Sequence, residues 1–156
     1  MRLPLIIILT CISVTVYGQL ETLRYAGTFS YVNDKSKATG TILIYPETDS
    51  TALFYLDVNL GAPSYNMGSL YGRVKVIDGQ GMHVSPDQDC QWSIQFSKGK
   101  LTIKTIKEFY DCGFGNGVVA DGTFEQTSKK TPDHFETPEG KKYFFKTTTP
   151  EKYNNK

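Results

Sequence analysis

Along most of the chain, apolar and polar residues alternate one by one, and turn residues interrupt the runs. Period two marks a strand with one buried face, and the three-four spacing of a helix is nearly absent. The pattern predicts eight strands, at 24–32, 41–45, 51–60, 69–77, 80–85, 90–97, 101–106 and 118–126. The cleanest run is 51–60, with Phe54, Leu56, Val58 and Leu60 on one face and Tyr55, Asp57 and Asn59 on the other. In 69–77, Leu70, Gly72, Val74 and Val76 point inward while Tyr71, Arg73 and Lys75 point outward. Trp92, Ile94 and Phe96 form the inward face of 90–97, and His83 is placed on the outward face of its short strand. Asp78-Gly79 suits a tight hairpin turn, in which both central residues take positive φ.

Eight short strands in about a hundred residues predict a small eight-stranded antiparallel barrel of the calycin-like kind, or a tightly folded sandwich. Closure removes exposed strand edges, and a barrel of this size is filled by its own side chains or holds one small ligand. Ala26-Gly27-Thr28-Phe29 near the start and Asp121-Gly122-Thr123-Phe124 near the end suggest neighbouring strands at a closing seam. The loop 61–68 carries two sizeable side chains, Tyr65 and Met67, suited either to covering an open barrel end or to recognition.

The N-terminus changes the picture of compartment. Met1-Arg2 followed by an apolar run to Val16 and Tyr17-Gly18 reads as a signal peptide over 1–18, with Gln19 as the mature start. The barrel domain is then 19–127, and 128–156 is a polar tail. The localisation expected is secreted or periplasmic, and no other run reaches the ~20 apolar residues that span a bilayer. Two cysteines remain, Cys90 and Cys112, and an even pair in an exported chain predicts one disulfide. A thiolate metal site would need further ligands, which His83 and His134 do not supply at a recognisable spacing.

Charge is divided. Residues 19–127 hold nine Lys/Arg against twelve Asp/Glu, and 128–156 hold seven Lys against four Asp/Glu. Neither imbalance points to nucleic acid. In the tail, 128–139 reads as a mobile linker, 142–147 as a strand added to the barrel edge, and the last residues as disordered.

Catalytic signals are thin: no nucleophile elbow, HExxH or phosphate loop is present, and the two histidines have no partner group in view. The chain therefore reads as non-catalytic, with no cofactor. A Cys90–Cys112 bridge would gather Asp87, Asp89, Glu108 and Asp111. Gathered acids suit a basic protein surface, a calcium ion held by Asp87, Asp89, Asp111, Asn116 and Asp121, or plain solvation. No EF-hand loop backs the calcium reading.

The segment CGFGNGVVADGTF at 112–124, with GAPSYNMGSL at 61–70 and AGTFSY at 26–31, resembles a group of small secreted proteins of Bacteroidota-type bacteria. Their usual ending is CGFGxxVxADGxY, and Phe124 stands where that pattern has Tyr. The resemblance spans 25–126 and leaves out the basic tail. In architecture such proteins look like periplasmic lysozyme inhibitors, whose Ser-Gly-x-x-Tyr insertion motif is absent here. The acidic body and the loops gathered at the disulfide, taken with that likeness of architecture, give the first reading: a secreted non-catalytic binding protein that meets a cationic protein, such as a lysozyme, through Asp87, Asp89, Glu108, Asp111, Tyr65 and Met67. The second reading is a lipocalin-like carrier of a small apolar ligand, which fails if Tyr25, Phe29, Phe54, Leu56, Trp92 and Phe96 fill the interior and leave no sizeable cavity.

Overall fold

The computed structural model describes residues 21–33 and 38–154. The signal peptide expected over 1–18 lies outside the described residues. The strands are β1 (Gly27–Asn33), β2 (Ala38–Pro46), β3 (Thr51–Asn59), β4 (Met67–Ile77), β5 (Gln80–Val84), β6 (Cys90–Ser97), β7 (Lys100–Tyr110) and β8 (Gly122–Ser128). Each pairs antiparallel with the next, and β8 returns to β1, so the sheet is a closed barrel. The barrel alternative is therefore the correct one of the two, and a disulfide joins Cys90 to Cys112.

Local chemistry explains the strand ends. Asp78 and Gly79 both take positive φ, 52° and 74°, and join β4 to β5 by the tight turn their sequence favours. Lys98 and Gly99 do the same between β6 and β7, at 33° and 79°. At the closing seam, Gly27 has φ 140°, and a Cβ there would lie 2.2 Å from the Ser128 carbonyl oxygen. No larger residue fits that approach. The strand expected over 118–126 begins only at Gly122. Before it, the Asp121 carboxylate accepts the Thr105 amide at 2.7 Å, taking the place of a ladder bond.

The inward faces are those that the alternation predicts, with one exception. Phe54, Trp92, Phe124, Ile42, Ile44, Leu56, Ile94, Leu101 and Ile103 fill the barrel and are all fully buried. The exception is β5. His83, expected outward, is only 5% exposed and points inward, while Met82 and Val84 face solvent.

The tail also departs from expectation. In place of a linker and an added edge strand, β9 (His134–Glu136) and β10 (Lys142–Phe144) pair with each other, and α1 (Pro150–Asn154) follows. A closed barrel has no edge to extend, so the tail docks on its outer wall. The wall there is apolar: Leu53, Tyr55 and Tyr71 point outward yet are buried under Phe135 and Phe145. Phe135 is 1% exposed, stacks on Tyr55 at 4.3 Å between centroids, and meets Tyr71 at 4.6 Å. The Tyr71 hydroxyl donates to the Thr148 carbonyl at 2.5 Å. Arg73 closes the arrangement, binding both carboxylate oxygens of Glu47, at 2.6 and 2.8 Å, and Glu151 of α1 at 2.6 Å. That pairing draws the Glu151 carboxyl down to about 2.

This packing sets an expectation for stability. Truncating a fully buried phenylalanine typically costs about 3–5 kcal/mol. Phe135→Ala should lower the urea midpoint by a corresponding amount; a tail that merely lies loosely on the wall would leave the midpoint unchanged.

Candidate functional site

The strand order sorts the loops between two ends of the barrel. Loops 60–66, 85–89 and 111–121 share one end with the disulfide, while the 47–50, 78–79 and 98–99 turns share the other. Tyr65, Met67, Asp87, Asp89, Glu108 and Asp111 therefore all belong to the disulfide end.

The bridge between Cys90 and Cys112 is the anchor of this end, with Cys90 itself buried in the core. The Asp111 amide donates to the Asp89 carbonyl at 3.0 Å, which brings the two acidic loops side by side. Asp87 caps its own loop: its carboxylate accepts the Ser85 hydroxyl and the Asp89 amide. Those bonds, the hydroxyl's first, favour its charged form and hold its carboxyl below the usual range. Asp111 accepts the Gly113 amide at 3.3 Å. All four acids are exposed.

The residues expected to hold calcium do not converge. Asp121 is engaged by Thr105, and among the described residues no group of three or more His, Cys, Asp or Glu is arranged to hold a metal ion.

A second tie locks the glycine-rich loop to the 60–66 loop. The Gly115 amide donates to the Met67 carbonyl at 2.9 Å, and the Asn66 side-chain amide donates to the Asn116 carbonyl at 2.7 Å. Phe114 lies flat against Gly68, where a Cβ would fall 2.4 Å from its ring. With Leu60 it packs on the core and closes the barrel mouth. The plug is thus Phe114, and Tyr65 and Met67 are left free of that task.

Tyr65 is 66% exposed, and Met67 is exposed as well. Three apolar residues that the sequence reading passed over join them at this end: Tyr110, 73% exposed, Val84 and Val119. Tyr110 is the strand partner of Cys90, which places it at the strand end that carries the bridge. The signal that could have found them is positional. Each lies at a strand end or in a loop of the disulfide end, with polar or buried neighbours taking the inward places. The result is a rim of exposed apolar groups interleaved with four carboxylates.

The histidines take no part in it. His134 contacts Asp133 on the tail at 2.5 Å. His83 sits against Phe54 and Trp92, with ring centroids 5.0 and 4.9 Å away. Its Nδ1–H donates to the Arg73 carbonyl at 3.3 Å, and Nε2 has no partner among the described residues. β4 and β5 pair only over Lys75–Ile77 and Gln80–Met82, so the ladder has already ended where His83 bonds Arg73.

No family model matches this chain, and neither a curated protein nor a solved structure is significantly similar to it.

His83 makes stability depend on pH. Burial disfavours the imidazolium and lowers its pKa below the ordinary 6.5, against a smaller opposing effect of the Arg73 carbonyl. The folded state then binds fewer protons than the unfolded chain, so stability falls as pH drops below about 6.5 toward the folded value. His83→Gln removes that contribution. Stability curves of the variant should be flatter than wild type as pH falls below about 6.5, and parallel curves would refute the assignment.

Proposed function

We propose that this protein is an exported, non-catalytic binding barrel that grips a cationic protein with its disulfide end, lysozyme being the first partner to test. The observation that carries the reading is the rim itself: Tyr65, Met67, Val84, Tyr110 and Val119 stand exposed among Asp87, Asp89, Glu108 and Asp111. Exposed tyrosines on a braced loop supply large contact area with little rotamer freedom to lose. The carboxylates around them suit a basic surface and speed encounter with it. An oxidising compartment suits the Cys90–Cys112 bridge, which closes a loop with a sequence separation of 22. No helix among the described residues is long and apolar enough to cross a membrane.

The carrier reading finds less support. Phe54, Leu56 and Trp92 leave no exposed surface along the axis, and Phe29 is nearly as buried. A ligand enclosed in the barrel would have to displace them.

Hen-type and goose-type lysozymes supply the test, by calorimetry and by cell-wall lysis. Micromolar or tighter binding with inhibition is expected, and no binding to either would sink the lysozyme version. Tyr65→Ala with Tyr110→Ala should weaken binding at least about thirtyfold, the effect of losing roughly 2 kcal/mol of anchor contact. Neutralising Asp87, Asp89 and Asp111 together should slow association about tenfold at low salt and much less at high salt.

A further inference from the structure

The opposite end of the barrel carries a site of contrary character. There the chain enters through a short 3-10 helix (Glu21–Tyr25), leaves after Ser128, and turns at Lys98-Gly99. Between these segments lies a cavity of about 510 Å³. Its floor is aromatic. Tyr25 stacks on Phe96 with centroids 4.4 Å apart, and Phe29 meets Phe96 edge-on at 6.1 Å.

Its walls are cationic. Arg24, Lys98, Lys100 and Lys129 line it, and among the described residues no carboxylate side chain does. Lys100 has a partner, Glu125 at 2.9 Å. Arg24, Lys98 and Lys129 have no ion-pair partner among the described residues. Cations gathered in this way repel one another, and an anion entering among them relieves that repulsion.

The cavity is built into the barrel seam. The β1–β8 register shifts between Thr28 and Phe29, the kind of irregularity that re-aims side chains beside binding sites. The Gln126 side-chain amide donates across the shift to the Ala26 carbonyl at 3.2 Å, and its backbone amide donates to the Gly99 carbonyl at 2.7 Å. Lys98 is therefore held over the cavity by a turn that is itself tied to β8. The volume falls in the usual range for small-molecule sites, about 300–1,000 Å³.

We infer that this vestibule binds a small amphiphilic anion. An apolar chain or ring lies on Tyr25 and Phe96, and a carboxylate or sulfonate head sits among Arg24, Lys98 and Lys129. Arginine supplies paired N–H donors for such a head, and the lysines supply charge. Phe29 and Phe96, nearly buried, close the way to the barrel axis, so the ligand stays at the mouth. The site is independent of the disulfide end and of any partner bound there.

Dodecanoate is the probe, titrated calorimetrically into the intact protein at low salt. One molecule per chain should bind, and K98E/K129E should weaken binding at least about tenfold. K104E/K107E makes the same change in net charge away from the cavity and should bind as wild type does. Should K98E/K129E fold poorly by its urea midpoint, R24E carries the comparison with K104E as its charge-matched control. The inference is overturned if dodecanoate does not bind, or if both double variants bind equally. It is equally overturned if dodecyltrimethylammonium, with the same chain and the opposite charge, binds as tightly as dodecanoate.

Discussion

Three residue pairs between β1 and β8, Thr28 with Ser128, Phe29 with Gln126 and Ser30 with Glu125, turn an eight-stranded sheet into a cylinder. Once the cylinder closes, its bore is only wide enough for its own side chains, and here bulky ones occupy it. Chemistry is thereby pushed to the rims. No strand edge remains, so anything that follows β8 must find an outer face to cover. The filled axis, the two contrasting ends and the position of the tail all descend from that closure.

The ends differ because different segments converge on them. At one, the Cys90–Cys112 bridge and the interlocked 60–68 and 112–118 segments hold acids and exposed aromatic groups in fixed places. At the other, chain entry, chain exit and one hairpin turn bring four cations around an aromatic floor. The glycine-rich stretch from Cys112 makes the first end possible by letting Phe114 lie against Gly68 and plug the mouth. Its part is to brace the loops beside it.

Much of this was legible in the sequence, and the misses have physical causes. Clean alternation placed Phe54, Leu56, Trp92 and Ile94 inward because each strand they belong to has one wholly apolar face. β5 misled because Met82 and Val84 are the apolar residues of a five-residue strand, and hydrophobicity alone turns them inward. Register decides otherwise: Gly81 and His83 pair with Ile94 and Trp92, whose side chains face the core. The imidazole is tolerated there because the end of the β4–β5 ladder leaves the Arg73 carbonyl to accept its N–H. The tail misled for a related reason. Phe135, Tyr143, Phe145 and Tyr153 are scattered among lysines, threonines and prolines, so local composition hides a cluster that exists only against Tyr55 and Tyr71. The four acids were expected at one end because a disulfide would gather them, and the loops that carry them do lie at the disulfide end. Tyr110 and the basic vestibule depend on chain segments far apart in sequence, which no local pattern joins.

The tail also connects the two ends. It leaves β8 at the cationic end, beside Lys129, and its β9–β10 hairpin turns at 137–141. Pro138 in that turn lines a cavity of about 300 Å³ with Asp57, Asn59 and Met67, at the edge of the opposite rim. The chain then returns along the wall to α1, where Glu151 meets Arg73. The tail's aromatic residues thus buttress β3 and β4, the two strands that the 60–66 loop joins. Burial also raises the Asp57 carboxyl above its ordinary value, as expected for a group walled in on one side. A partner seated on Tyr65 and Met67 would therefore lie beside the tail turn as well as the loop. The residues after Thr127 are, on this geometry, the brace behind that loop and one wall of the proposed recognition face.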